Sequence, residues 1–129
     1  MRKPTLKRVI PIVREMLRLY KDQERMLEEI NTWRNEVIEK YGDIPEHKKA
    51  LRKLNEMKRE VLKMRRKLED DVKIHTTIFE YVYYIFKMRK IKKFKGKNVF
   101  IWLENDESIH FEFDNGSVVI TRDGKIIIL

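Results

Sequence analysis

Residues 96–129, GKNVFIWLENDESIHFEFDNGSVVITRDGKIIIL, consist of four short apolar runs separated by turn residues. The segments between the runs include Asn115-Gly116 and Asp123-Gly124, and Asn-Gly and Asp-Gly are the strongest short signals for a β-hairpin turn. The runs are Val99–Leu103, Ile109–Phe113, Val118–Thr121 and Ile126–Leu129. We therefore predict a small four-stranded antiparallel β meander at the C-terminal end of the chain.

The charge of the chain changes at the same place as its hydrophobic pattern. Residues 1–97 contain 28 Lys and Arg against 15 Asp and Glu, whereas residues 98–129 contain 2 against 6. Before this break the apolar residues recur at helical spacing, and after it they follow the pattern of strands. We predict an α+β protein with two parts: a basic helical hairpin over residues 1–96, and an acidic β meander over residues 97–129 that packs on the helices or on a partner subunit.

The first helix is predicted from a heptad pattern of alternating three- and four-residue steps. It should begin near Ile10 or Pro11, because proline is tolerated in the first turn of a helix. Gly42 can adopt the left-handed cap that ends it, and Pro45 can open a second helix with Asp43 or Ile44 at its entrance. The stripe comprises Val9, Val13, Met16, Tyr20, Leu27, Ile30, Val37 and Tyr41, widened by Ile10, Leu17, Trp33 and Ile38. This pattern is typical of a coiled-coil-like antiparallel hairpin.

The second helix carries its apolar stripe from Leu51 to Phe86, and no Gly or Pro interrupts it before Gly96. A single helix of about 45 residues would be about 70 Å long, so its C-terminal part would extend beyond the first helix. That part, IFEYVYYIF over residues 78–86, is apolar on all sides and needs cover from the β tail, the N-terminal residues or a second copy. We predict a homo-oligomer, most simply a dimer, with an interface that contains Ile78, Phe79, Val82, Tyr83 and Phe86. A strand over residues 74–86 is the alternative, because β-branched and aromatic residues dominate the segment.

The composition excludes several classes of protein. Charged residues make up 40% of the chain, a balance that resembles the proteins of hyperthermophiles. Cysteine is absent, which rules out disulfides, thiolate metal sites and a cysteine nucleophile, and which fits a reducing compartment. No stretch reaches the roughly 20 apolar residues of a membrane span, and the N-terminal apolar run is too short for a signal peptide. We therefore expect a cytoplasmic protein without membrane contact.

No constellation of residues predicts catalysis, a metal site or a cofactor. His47, His75 and His110 are far apart in sequence and lack acidic or thiol partners at ligand spacing, and we expect His75 to lie in the core or at an interface. The nearest approach to an enzyme signature is Asp114 followed by Asp123-Gly124-Lys125, which matches the acidic residues and lysine of metal-dependent nucleases. A tight hairpin turn explains Asp123-Gly124 more simply. We therefore predict that the protein is not an enzyme.

Two basic clusters point to a polyanionic partner, because dense Lys and Arg attract nucleic acid by counterion release. Residues 48–67 contain ten cations and two acids, but acids of the first helix could neutralise them. Residues 87–97 contain seven cations and no acid, although carboxylates of the β tail could fold back on them. The predicted contacts are Lys87, Arg89, Lys90, Lys92, Lys93, Lys95 and Lys97, together with Lys63 and Arg66.

Two classes of function fit these observations. The first is a non-catalytic, oligomeric helical-hairpin protein that contacts nucleic-acid phosphates through basic helix faces and does not read bases. The sequence does not distinguish DNA from RNA as its partner. The second is an assembly or scaffold subunit that binds copies of itself or another protein and makes no nucleic-acid contact. Binding to nucleic acid as the salt concentration rises separates the two, because only the first predicts a steep loss of affinity.

Overall fold

The computed structural model describes residues 5–42 and 45–129 and confirms the predicted α+β class. A short 3-10 turn over Leu6–Arg8 leads into three helices and then five strands. The helices are α1 (Ile10–Tyr41), α2 (Pro45–Asp70) and α3 (Val72–Arg89). The strands are β1 (Lys93–Gly96), β2 (Val99–Leu103), β3 (Ile109–Phe113), β4 (Gly116–Ile120) and β5 (Ile126–Ile128). The long α1 and α2 form the antiparallel helical pair that the heptad pattern predicts.

The end of α1 and the start of α2 lie at the glycine and proline residues that predict helix boundaries in the sequence. Helix α1 begins at Ile10, so Pro11 lies in its first turn, where its missing N–H costs no hydrogen bond. Gly42 follows α1 with φ +58° and donates its backbone N–H to the carbonyl of Ile38 at 3.3 Å. Helix α2 begins at Pro45, as predicted. The expected entrance of α2 at Asp43 or Ile44 lies outside the described residues.

The prediction of one continuous second helix is wrong, because the helix is interrupted at Asp71. This residue adopts φ −79° and ψ 66°, and its side chain accepts a hydrogen bond from the backbone N–H of Ile74 at 3.3 Å. An aspartate in this position satisfies an otherwise unpaired donor and thereby starts a new helix, α3. The alternative of a strand over residues 74–86 is also wrong, since α3 covers the whole segment.

Helix α3 ends in a left-handed cap that lies inside the basic cluster. Lys90 has φ +55°, and its backbone N–H approaches the carbonyls of Lys87 and Phe86. The N–H of Ile91 bonds the carbonyl of Phe86 at 3.0 Å, which completes the hydrogen bonding of a Schellman motif. The chain can therefore turn directly from α3 into a strand.

The sheet is an antiparallel meander of five strands in the order β1-β2-β3-β4-β5, so the predicted number of four is wrong by one. The additional strand is β1, with the sequence KFKG, which pairs with β2 through a turn in which Asn98 has φ +61°. Its lysines belong to the basic run of residues 87–97, which in sequence resembles the end of a basic helix. Residues 93–96 form a strand because they pair with the edge of β2.

Contact density divides the chain into two compact units. The first, which we call the sheet unit, consists of residues 5–18 and 69–129 among the described residues, and the second, the hairpin unit, consists of residues 19–68. The predicted division into domains at Gly96 stays a prediction.

The core of the sheet unit lies between α3, the start of α1 and the inner face of the sheet. Its fully buried members include Leu6, Leu17, Phe79, Val82, Ile85, Phe86, Ile101, Ile109, Phe111 and Ile120. Side chains of this size contribute about 1.5–3 kcal/mol each on burial. Thr5 is tied to α3, because the hydroxyl of Tyr81 accepts from the backbone N–H of Thr5 at 3.0 Å and donates to its carbonyl at 3.2 Å. Apart from Tyr84, which is 57% exposed, the apolar side chains of residues 78–86 are therefore buried or half-buried within their own chain.

Candidate nucleic-acid interface

The seven predicted contacts of residues 87–97 are all exposed, and all lie in the sheet unit. Lys87 and Arg89 occupy the last turn of α3, Lys90 forms its cap, and Lys92 follows it. Lys93 and Lys95 lie on β1, and Lys97 lies in the turn to β2. Lys63 and Arg66 are exposed on α2, which belongs to the hairpin unit. The cluster around β1 is thus the group of predicted contacts that the fold brings together.

These seven cations are not neutralised by the acidic tail. Within residues 5–42 and 45–129 none of them forms an ion pair, and Lys87 instead places its Nζ 5.1 Å from the ring centre of Tyr83. Glu107, one of the candidate tail partners, pairs with Arg122 at 3.0 Å. Lys87 and Lys92 do share a small groove with Glu104 and Glu107, but without ion-pair contact. The cluster therefore keeps its positive charge available at the surface.

Strand pairing places two of these lysines beside aromatic side chains. Lys93 pairs with Trp102 and Lys95 with Phe100, and cross-strand partners project from the same face of a sheet. Trp102 pairs in turn with His110 on β3, and Phe100 with Glu112. We call the surface formed by Lys93, Lys95, Phe100, Trp102, His110 and Glu112 the outer face. Sequence analysis did not single out Phe100 or Trp102, although their spacing of two residues in a strand was a usable signal.

The rings on the outer face are in contact with one another. The centres of Phe100 and Trp102 lie 5.1 Å apart with an interplanar angle of 37°, and those of Trp102 and His110 lie 4.8 Å apart at 19°. These separations are typical of favourable aromatic pairs. The outer face thus presents a continuous aromatic row that is bordered by lysines at one edge of the sheet.

Hydrogen bonds hold this row in one orientation. The Nε1–H of Trp102 donates to Glu104 at 2.6 Å. The hydroxyl of Ser108 donates to Asp106 at 2.6 Å, so it is left to accept from Nε2 of His110 at 3.0 Å. The side-chain and backbone hydrogen bonds from Ser108 lower the pKa of Asp106 below its ordinary value of 3.8. The two rings are therefore positioned before any ligand arrives.

In the described part of the chain, β1 adjoins grooves that are lined by lysines. One of about 450 Å³ is lined by Lys7, Arg14 and Lys97, and one of about 400 Å³ by Lys95 and Phe100. The third, of about 370 Å³, is lined by Lys92, Lys93, Phe100, Trp102, Leu103, Glu104 and Asn105. Concave sites of this volume can hold small ligands or parts of larger ones.

The residues of the nuclease-like pattern are not brought together. Asp114 lies in the turn before β4 and Asp123 in the turn after it, so a strand of five residues, about 17 Å long, separates them. Asp123 accepts a hydrogen bond from the hydroxyl of Thr121 within its own turn. Two carboxylates at opposite ends of a strand cannot share one ion. Both residues therefore act as turn residues in this fold.

His75 and most of the predicted oligomer interface lie in the core. Nδ1 of His75 bonds the carbonyl of Gly124 at 2.9 Å, which requires a proton on Nδ1, and the ring is fully buried. The predicted interface residues Ile78, Phe79, Val82 and Phe86 are buried, and Tyr83 is half-buried. Since these side chains are buried or half-buried within the chain, a dimer is not needed to remove them from water. Self-association itself stays a prediction.

The hairpin unit has a further apolar surface, part of which belongs to the predicted stripes, as Trp33 does. Leu19, Met26 and Trp33 on α1, and Met57 and Met64 on α2, are between 40% and 46% exposed, and we call them the hairpin face. On both helices these residues follow buried or half-buried positions by three residues, as Met26 follows Gln23 and Met64 follows Val61. Equivalent positions of two antiparallel helices lie on the same side of the pair. The five side chains therefore form one stripe.

Arg65, a member of the basic cluster of residues 48–67, holds α1 and α2 together. Its guanidinium lies 4.1 Å from the ring centre of Tyr20, pairs with Glu24 at 2.5 Å and donates to the carbonyl of Tyr20 at 3.4 Å. The side chain is only 14% exposed. Arg65 is thus one cation of the 48–67 cluster that is used inside the fold.

Comparisons with known proteins do not assign this chain to a family. No protein-family model, no curated protein and no solved structure matches this chain. In the described part of the chain, no helix is both long enough and apolar enough to cross a membrane. The class of the protein therefore rests on its own architecture: an α+β protein with a helical hairpin, a third helix and a five-stranded meander.

Proposed function

We propose that this protein associates with nucleic acid through the basic segment 87–97, without catalysis and without base-specific readout. The observation that supports this most is the concentration of seven exposed cations around β1, none of them ion-paired within the described residues. Lysine clusters of this kind neutralise phosphates and release counterions. Lys63 and Arg66 on α2 are proposed as additional contacts.

Either DNA or RNA serves as the partner in this proposal. The cytoplasmic location expected from the cysteine-free sequence belongs to the same proposal, since it rests on composition alone. Contacts to phosphates fix position and supply affinity, while sequence information comes from base edges. A surface dominated by lysine therefore favours binding that is broad in sequence and sensitive to salt.

The test is a variant in which Lys92, Lys93, Lys95 and Lys97 are replaced by Gln, which removes charge and keeps side-chain length. Each phosphate contact that is lost should flatten the log–log dependence of affinity on salt by about 0.7 for a single strand and about 0.9 for a duplex. We expect weaker binding and a flatter salt dependence, measured by fluorescence anisotropy with labelled oligonucleotides of mixed sequence.

The matched control replaces Lys48, Lys49, Lys53 and Lys67 on α2 by Gln, which changes the net charge by the same amount. All four are exposed, so the fold should tolerate the change. The control should retain most of the affinity and slope. Equal losses of affinity in the two variants would mean that net charge alone attracts the nucleic acid. If the parent protein binds no nucleic acid at low salt, the proposal is wrong.

A second candidate function is assembly with a further copy of the chain through the hairpin face. The observation that favours it is the stripe of five large apolar side chains on one side of the hairpin unit. Contiguous exposed apolar surface of this kind is typical of protein contacts. The two functions are compatible, because the hairpin face and β1 belong to different compact units.

A further inference from the structure

We propose that the outer face of the sheet binds single-stranded nucleic acid by stacking a base on Trp102 while Lys92 and Lys93 hold the adjoining phosphates. This inference rests on the proposed function and names the form of nucleic acid that the same segment recognises. It differs from simple phosphate binding because the bases themselves contribute affinity.

The geometry around Trp102 leaves room for a base beside the indole. His110 covers one side of the indole at 4.8 Å, and the 370 Å³ groove is lined by Trp102, Lys92 and Lys93 but not by His110. The groove therefore lies on the side of Trp102 that His110 leaves uncovered. An unpaired base can enter such a groove and stack on the indole, whereas a paired base inside a duplex has no free face.

Lysines supply positive charge around the groove. Lys92 and Lys93 line it directly, and Lys95 follows on the same face of β1. Several acids border this region. Glu104 lines the groove and accepts from the Nε1–H of Trp102, Glu112 lies beside Phe100 on β3, and Glu107 shares a second groove with Lys92. Carboxylates repel phosphates, so the backbone of a bound strand should follow the lysines of β1. This leaves the bases pointing towards the aromatic row.

The aromatic row is held in place before a ligand binds. Glu104 fixes the edge of Trp102, and Ser108 fixes His110. Rings that are already oriented lose little further freedom when a ligand stacks on them. Aromatic residues interleaved with lysines form the usual platform for single strands, and their stacking tolerates any base.

The alternative explanation for the lysines of β1 is protection of a sheet edge. Strand β1 is the first strand of the meander, and charged side chains on edge strands discourage pairing with other chains. This alternative assigns no role to the groove beside Trp102 or to the ordered aromatic row. It predicts that removal of the lysines promotes aggregation and leaves oligonucleotide binding unchanged.

The decisive measurement uses Trp102 as its own reporter. Trp33→Phe removes the other tryptophan, an exposed residue of the hairpin unit, so that the remaining fluorescence comes from Trp102. Titration with an oligothymidylate of about 12 nucleotides should quench this fluorescence, because the base stacks on the indole. A duplex of the same length should bind more weakly and quench less. Since Trp102 is retained, the result holds even if substitutions at this position impair folding.

The matching substitution is Trp102→Ala. We expect affinity for the single strand to fall about tenfold or more while the salt dependence is unchanged, because a stacking contact is lost and no phosphate contact is. Binding of inorganic polyphosphate, which has the charges without the bases, should not change. Trp102→Phe should restore part of the affinity, and Ile127→Ala, an exposed residue in the same row of the sheet on β5, should have no effect.

The outcomes separate this inference from the proposed function. Equal binding of single strand and duplex without quenching of Trp102 would overturn the stacking site and leave phosphate binding by 87–97 intact. Loss of polyphosphate binding in Trp102→Ala would likewise overturn it, because the residue would then act on charge. No binding of any oligonucleotide at low salt would overturn both proposals.

Discussion

At the scale of single residues, Ser108 makes several hydrogen bonds beside the outer face of the sheet. It is 4% exposed, donates its hydroxyl to Asp106 and accepts from His110, which in turn stacks on Trp102. The backbone N–H of Ser108 also bonds Asp106 at 3.0 Å. One small side chain thus links the turn before β3 to the aromatic row.

Ser108→Ala should raise the pKa of Asp106 towards its ordinary value of 3.8, since the side-chain hydrogen bond is the largest cause of its lowered pKa. The shift should be partial, because the backbone hydrogen bond remains. A lowered pKa in the folded state adds stability above pH 3.8, and this contribution is lost as the pH falls through the pKa of the folded state. The difference in stability between parent and variant should therefore narrow in acid.

The measurement is a carboxyl-carbon NMR titration of both proteins. Asp123 supplies an internal control, because its pKa is lowered mainly by Thr121, which the substitution does not touch. An unchanged pKa of Asp106 in the variant would contradict the assigned hydrogen bond.

At the scale of secondary-structure elements, the α1/α2 pair depends on a polar clamp as well as on its apolar seam. Among the described side chains of the hairpin unit, only Ile30 and Val61 are buried and apolar, and the polar Gln23 is buried with them. Because so few apolar side chains are buried between the two helices, the stacking of Arg65 on Tyr20 and its ion pair with Glu24 contribute to the stability of the pair. A cation over an aromatic ring contributes more when it is partly removed from water.

Arg65→Ala should lower the free energy of unfolding by about 1–2 kcal/mol, because the variant loses the stacking on Tyr20, the pair with Glu24 and the packing of the alkyl stem. Arg66→Ala is the matched control: its side chain is exposed, and the change should stay within about 0.5 kcal/mol. Urea unfolding of the two variants followed by circular dichroism provides the comparison. Equal effects would show that Arg65 does not clamp the helices.

At the scale of the whole molecule, the question is whether the hairpin face meets a second copy. Five half-exposed apolar side chains form a small contact by the standard of stable dimers, so we expect association that depends on concentration. Along the hairpin, the five side chains come alternately from α1 and from α2. This arrangement suits packing against the helical pair of a second copy.

Met26→Lys combined with Met57→Lys should abolish this association, because charges introduced into an apolar contact would be buried without partners. Sedimentation velocity at micromolar concentration should show a monomer–dimer equilibrium for the parent protein and a monomer for the variant. The control is Leu62→Lys, at an exposed position of α2 outside the hairpin face. A parent protein that stays monomeric throughout this range would contradict assembly through this surface.

Local signals in the sequence determined much of the architecture. Pro11, Gly42, Pro45 and the Asx-Gly turns act within a few residues of themselves, so the start of α1, the hairpin and the meander after residue 98 could be predicted. The lysines of 87–97 were found in the same way, because charge density is a property of composition. The break at Asp71 was missed, since an aspartate inside an apolar stripe becomes a cap only when the chain turns there.

Tertiary structure alone decided the features that depend on distant residues. Strand β1 exists because β2 pairs with it, and Trp102 meets His110 because β2 and β3 are neighbours in a particular register. The phenylalanines of α3, Phe79 and Phe86, are buried within the chain, although the sequence of this segment is equally compatible with burial against a second copy. Arg65 is held by Tyr20, which lies 45 residues earlier in the chain. Charge density and local turns depend on residues that are adjacent in sequence. The burial of an apolar surface and the pairing of strands depend instead on which surfaces the folded chain brings together.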